Sequence, residues 1–283
     1  MADKIEIART ALKASIKVRR QLDEPIDTPV NPIEMAEKLK IEVRYIALPS
    51  LEGMFSITKN AIILSSMRPI GRRASTCAHE IGHWYFGHGD RIDEYGSFDH
   101  DCSESQEEML ANRFASYLLM PKKAISGYLN SASISPENIT AEQAFSLSTV
   151  MGIGYTTLLN HMCWSLNFIT STKLRSLLAF QPKKIKSTLL GFEFSDNLVD
   201  LRVFRPVLPI DLEVGDKLIV PGDCKLEGAS VSFNDEYRTI VNCVIPGIAI
   251  AQSESMGWSI FIRVSKKEFV GRAIYRHMED DND

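Results

Sequence analysis

His79 and His83 stand four positions apart, with Glu80 directly after the first, in the run His79-Glu80-Ile81-Gly82-His83. On an α-helix four residues sweep about 400°, so both imidazoles leave one face and can grip a single cation. Neutral imidazole nitrogens suit Zn²⁺ at about 2.0–2.1 Å, and the adjacent Glu80 can lean over the metal to take a proton from its bound water. The run therefore asks for a helix, and its surroundings agree. A helical pattern extends from Met67 to about His88 and runs out at Gly87 and Gly89. An ordinary surface helix is the competing reading. It weakens if a third ligand can be found, because a catalytic zinc takes three protein ligands and keeps one position open.

The third ligand has to come from elsewhere in the chain. A metzincin site would place Gly three residues beyond the second His and a further His three residues after that, but those positions hold Phe86 and Gly89. His88 falls one place too early and at the helix end, where a C-terminal capping role suits it better. A carboxylate on the following helix remains, and Glu104, Glu107 and Glu108 compete for it. Ser103 or Ser105 can cap that helix, which Pro121 stops after Met120. Ala111 and Ala115, three and seven residues beyond Glu108, form a small-residue stripe that lets the two helices pack closely. Glu108 is thereby expected to face inward. Glu107 lies about 100° away and is expected to see solvent, while Glu104 sits in the fraying first turn.

Around this core the chain reads as α+β. Residues 4–20 and the Asn31-Pro32 start followed by IEMAEKLK predict two helices. The runs IEVRYIAL, GMFSIT and AIILSS predict a small antiparallel sheet beside the metal-binding helix. Residues 140–170 predict two or three helices broken near Gly152 and Gly154, with a helix-turn-helix outline from Leu147 to Ile169. From residue 180 onward the chain turns β-rich in segments such as LRVFRPV, DKLIV, YRTIVNCVI and WSIFIRV. The composition shift places a boundary between residues 1–172 and 173–283.

The sequence has 283 residues, enough for two modest domains, and a formal net charge of -4, which argues against a protein that coats nucleic acid over its whole surface. Its 5 cysteines form no Cys-x-x-Cys pair, which excludes cysteine-based zinc fingers and suggests reduced thiols. The first twenty residues mix charges and lack the apolar region of a secretory signal, and the uncharged stretch Gln143 to Thr172 is too polar to span lipid. A cytoplasmic location without membrane association is the expectation.

The segment STCAHEIGHWYFGH, followed by EEMLANRFASYLLMP, closely resembles the ImmA/IrrE family of zinc metallopeptidases over about residues 30–125. The resemblance implies a zincin-like protease domain holding one Zn²⁺ per chain through His79, His83 and Glu108, with Glu80 as the catalytic acid and base. It also implies a substrate, a helix-turn-helix transcriptional repressor, and a setting in stress, DNA-damage or phage-defence responses. The β-rich C-terminal region resembles a GAF-like sensor domain found in similar proteins. Two rival roles accompany this reading. One is an anti-repressor that seizes the repressor without cutting it. The other is a sensor activated by single-stranded DNA.

Three further features bear on regulation. From Thr140 to Thr170 the only formal charge is Glu142, too few for a groove-reading helix, so the helix-turn-helix outline is expected to serve as scaffold. The acid-free stretch Lys173, Arg175, Lys183, Lys184 and Lys186, with Phe180 among the bases, is either a solvated linker or a nucleic-acid contact. Cys102 precedes Glu108 by six residues. A thiolate in the open fourth position would displace the water that Glu80 activates and hold the enzyme latent, against the plainer reading of a free loop thiol.

Overall fold

The computed structural model describes residues 2–89, 91–94 and 105–278. Its chain divides into two compact units, Met1–Ala124 with Glu268–Arg276, and Ile125–Lys267 with His277–Asp283. The sequence-derived boundary at residues 172 and 173 falls inside the second unit, within the helix Ser171–Leu178.

The first unit opens with α1 (Ala2–Gln21) and α2 (Pro32–Lys38). Asn31 starts α2 as expected, its side-chain oxygen accepting from the Ile33 and Glu34 amides at 3.0 and 3.4 Å, with Pro32 where a missing N–H costs nothing. Strands β1 (Glu42–Ile46), β2 (Leu51–Ser56) and β3 (Ala61–Ser65) follow, then α3 (Ile70–Phe86), β4 (Arg91–Glu94) and α4 (Gln106–Leu119). α4 is held from below by α1. The buried Arg19 guanidinium donates from Nε to the Leu118 carbonyl at 3.1 Å, satisfying one of the carbonyls that the end of α4 leaves open, and also donates to Thr28 O and Pro25 O.

The sheet corrects the antiparallel expectation. Its order is β13-β1-β3-β2-β4, with β13 (Gly271–Arg272) numbered at its place in the chain, and β1 runs parallel to β3 with Val43 opposite Ile62. Residues 47–50 carry the chain past the neighbouring position, so that β2 returns as a hairpin on the far side of β3. The physical reason lies in β3 itself. Ala61, Ile62, Leu64 and Ser65 are buried, a near-continuous run rather than an alternation, which suits a central strand covered on both faces. β13 closes the far edge antiparallel to β1, Arg272 facing Arg44 across the pair and ion-pairing with Glu42 at 3.2 Å.

The helix α5 (Lys122–Ser131) leads into the second unit, whose helices are α6 (Ala141–Val150), α7 (Tyr155–Trp164), α8 (Ser171–Leu178) and α9 (Pro182–Leu190). Thr140 and Gln143 form a reciprocal capping box at the start of α6, and Gly152 takes a left-handed φ of 69° in the turn before α7. The middle segment is thus helical, with α6 and α7 joined by a short turn. The basic stretch is not a linker: it forms α8 and α9, which bury Leu174, Leu177, Ile185 and Leu190. Leu174 and Leu177 stand three apart, at helical spacing, a signal the density of basic residues masks, whereas Ile185 and Leu190 stand five apart and give no such pattern.

The β-rich remainder builds two four-stranded sheets. One has the order β5-β7-β10-β9, from Leu198–Asp200, Lys217–Ile219, Ile240–Cys243 and Val231–Phe233. The other has the order β6-β12-β11-β8, from Ile210–Glu213, Trp258–Ser265, Gly247–Ser253 and Lys225–Glu227. The segment LRVFRPV is not a strand: β5 ends at Asp200, just before it. Arg202 turns back to Asp200, its Nε 2.9 Å from Oδ1, and the chain bends there. Among the described residues no helix is long and apolar enough to cross a membrane.

Candidate metal centre

α3 lies against the sheet on one side and against α4 on the other, and both contacts depend on glycine. At Gly53 in β2 a Cβ would overlap Thr76 Cγ2 and stand 3.3 Å from Glu80 Oε1, so a bare backbone lets the strand run beside the Glu80 carboxylate. On the opposite side a Cβ at Gly82 would lie 3.1 Å from Ala111 Cα and 3.1 Å from Phe114 Cδ1. The small-residue stripe expected on α4 is therefore used, and its counterpart on α3 is Gly82. A β-bulge between Leu51 and Gly53 turns Glu52 inward, where its carboxylate meets Arg68 Nε at 3.2 Å and Arg72 Nε at 2.9 Å. These contacts fasten β2 to the start of α3, and removing the arginines would leave the buried Glu52 carboxylate without its countercharges.

Three donor atoms converge between α3 and α4. His79 Nε2 and His83 Nε2 are 2.8 Å apart; Glu108 Oε2 lies 3.2 Å from the first and Glu108 Oε1 3.5 Å from the second. One ligand atom from each residue falls within 4.8 Å of the others. His79 and His83 are 4 % and 1 % exposed, Glu80 is 1 % exposed, and the Glu108 side chain keeps 23 %, so the cluster opens on the α4 side. Ser105 caps α4 by accepting from the Glu108 amide at 3.2 Å. In Ser-x-x-Glu the glutamate can reach back to its own cap, but here its carboxylate reaches the histidines. Hydrogen bonds to His79 and His83 hold the Glu108 carboxyl well below the usual carboxylate range, so it remains anionic. Burial beside Glu80 pushes the Cys77 thiol up, which keeps that group neutral on the hidden face of α3.

The donor set fits a divalent cation. A tetrahedral ion with ligands at 2.0–2.1 Å separates its donors by roughly 3.4 Å, and the three observed separations bracket that figure. Two imidazole nitrogens and one carboxylate also match the donor composition of catalytic zinc centres that leave one position open.

Fold and site together define a metallopeptidase domain of the His-Glu-x-x-His type with a distal glutamate. Residues 36–151 match the M78 peptidase family, IrrE N-terminal-like domain. The chain thus carries an IrrE/M78-like peptidase domain, and the matched span contains His79, Glu80, His83 and Glu108. No curated protein matches the chain.

The remaining sequence-derived residues fall in several places. Glu107 is half-buried rather than solvated and stands outside the cluster. Cys102 and Glu104 lie outside the described residues, as does Ser103. Lys173 and Arg175 sit on α8, and Lys183 and Lys184 are exposed on α9. Lys186 is differently employed: its Nζ donates to the Ser195 and Asp196 carbonyls at 2.6 Å each and lies 5.8 Å from the centre of the Phe194 ring. Sequence reasoning missed Gly53, Gly82 and the packing of His88 on a ligand. For His88 a signal existed, since Gly87 just past the helix announces a turn that folds the next residue back.

Proposed function

We propose that the protein is a zinc-dependent endopeptidase that cleaves a helix-turn-helix transcriptional repressor. The observation that carries the catalytic part is the convergence of His79, His83 and Glu108 with Glu80 on the same buried helix. Zn²⁺ in this site would supply a Lewis acid for the scissile carbonyl and lower the pKa of a water molecule. The chain's own residues do the rest. His79, His83 and Glu108 would hold the ion, and Glu80 would take the water proton on a carboxylate oxygen and deliver it to the leaving amine nitrogen. Gly53 keeps the space beside that carboxylate clear.

The substrate class is supported by the resemblance of residues 75–88 and 107–121 to proteases that act on repressors. A sensing role for the β-rich segment, likened in sequence to a GAF-like domain, belongs to the same proposal; its two sheets lie in the unit that does not hold the metal ligands. A purified helix-turn-helix repressor from a neighbouring gene, incubated with zinc-loaded protein, should yield two fragments by mass spectrometry. Release of the repressor from its operator with the chain intact would favour the non-hydrolytic anti-repressor.

A second reading, activation by single-stranded DNA, draws on one observation. Phe180 is 48 % exposed between α8 and α9, close in sequence to the exposed Lys183 and Lys184, and Trp164 at the end of α7 is 60 % exposed. Aromatic faces beside lysines suit stacked bases and a phosphate backbone. Lys183→Gln with Lys184→Gln should then weaken oligonucleotide binding and flatten its salt dependence, and absence of binding by the wild type removes this reading.

A further inference from the structure

α3 ends in a Schellman turn. Gly87 is left-handed at φ 69°, ψ 30°, its amide reaches the Trp84 carbonyl at 3.3 Å, and the next amide, that of His88, reaches the His83 carbonyl at 3.0 Å. This pair of bonds folds the residue after the glycine back over the residue five positions earlier, where an apolar contact usually seals the motif. Here the two residues that meet are His88 and a metal-site histidine. Their Nδ1 atoms are 2.8 Å apart, and the ring centres 4.9 Å apart at an interplanar angle of 67°. His88 is 8 % exposed and its ring stacks on Phe86 at 5.8 Å and 24°.

The chemistry of a neutral imidazole then fixes the direction of that hydrogen bond. Such a ring carries one N–H and one lone pair. His83 turns Nε2 toward His79 and Glu108, so a cation held there takes the Nε2 lone pair, and the ring proton has to reside on Nδ1. The atom facing that proton is His88 Nδ1, which must therefore offer its own lone pair. We propose that His88 is a positioning residue of the metal centre: it accepts the Nδ1–H of His83 and so locks that ring in the tautomer and orientation that present Nε2 to the ion. Metal-bound histidines commonly give this proton to a carboxylate, a backbone carbonyl or water. An imidazole acceptor performs the same orientation without adding negative charge beside the site. The turn and the ligand are thereby one unit, since the glycine that stops the helix also delivers the group that orients its last ligand.

The inference rests on the metal-site reading above, and its test separates the two. Zinc-loaded protein labelled with ¹⁵N-histidine should show the His83 Nδ1–H and a through-hydrogen-bond coupling between the Nδ1 atoms of His83 and His88. Chelator competition should show zinc affinity about 10–100-fold lower in His88→Ala, the usual cost of removing such a partner. His88→Gln, whose side-chain oxygen can accept the same proton, should recover most of the loss. A residue that only stopped the helix would lower thermal stability alike in both variants and leave zinc affinity unchanged. The proposal is overturned if zinc-loaded wild type lacks the coupling, or if His88→Ala binds zinc as the wild type does; should that variant fail to fold, the wild-type spectrum decides alone. A wild type that takes up no zinc overturns both this proposal and the reading beneath it.

Discussion

Replacing Gly82 by alanine tests whether the close crossing of α3 and α4 is what brings Glu108 to the histidines. The new Cβ would stand 3.1 Å from Ala111 Cα, 3.1 Å from Phe114 Cδ1 and 3.4 Å from Ala111 Cβ. Carbon atoms rest comfortably at about 3.5–4.0 Å, so something must give by about 0.5 Å. Ala111 and Phe114 are both fully buried, and Ala111 offers backbone rather than a flexible tip, so the retreat falls on α4 as a body. Overpacking of this kind costs about 1–3 kcal/mol, and alanine in place of glycine within a helix returns about 1 kcal/mol. Net destabilisation should therefore be about 0–2 kcal/mol, measured by denaturant unfolding of metal-free protein. Glu108 lies one helical turn before Ala111 and moves with it, and about 0.5 Å exceeds the roughly 0.2 Å tolerance of metal–ligand distances. Zinc affinity, read by competition with a chromophoric chelator, should fall by about tenfold or more, a cost of about 1.4 kcal/mol. An unchanged zinc affinity, whatever happens to stability, would refute the claim that this crossing sets the reach of Glu108.

Glu108→Ala should lose most of the zinc bound by wild type, whereas Glu107→Ala should retain it, both measured by elemental analysis after dialysis; the reverse order would refute the helix-face assignment. Asp216 supplies a pH test in the second unit. Burial pushes its carboxyl up to about 7 from 3.8, helped by Glu213 and Asp196 and opposed by backbone amides of Glu213 and Asn197 at 2.8 and 2.9 Å, with Lys186 also nearby. Because the folded-state value is raised, the protonated form contributes stability that is fully present below about 3.8 and is lost as pH rises through about 7. The loss amounts to about 4 kcal/mol at most. Asp216→Asn should remove that downward slope from the unfolding free energy between these pH values, and an identical slope in wild type and variant would refute the assignment.

Much of the metal centre was legible because its chemistry is written in helical spacing. His79 and His83 share a face by arithmetic, and Ala111 and Ala115 pointed Glu108 inward before any coordinates did. What spacing could not supply was the partner of that stripe, since Gly82 reads equally well as a weak point in a helix, and the partner of Glu80, since Gly53 sits in a strand far from it in sequence. The parallel pairing of β1 with β3 was hidden for a similar reason: three short apolar runs in succession look like a meander, and only the two-sided burial of Ile62 and Leu64 makes β3 central. β13 is two residues long and carries no periodicity. The helix α8 was masked by its basic residues, and the buried pair of α9 gave no helical spacing to read; Lys186 on α9 turns out to bind backbone carbonyls rather than wait for a ligand.

The central claim is that this chain hydrolyses peptide bonds through Glu80 acting beside a metal held by His79, His83 and Glu108. One comparison tests it directly. Wild type and Glu80→Gln are loaded with zinc, their metal content is measured, and both are incubated with a proteome-derived peptide library read by mass spectrometry. The variant keeps all three ligands and loses only the base, so zinc should stay near one per chain in both while new peptide termini appear with wild type alone. Equal cleavage by the two proteins, or no cleavage by a fully zinc-loaded wild type, would contradict the account.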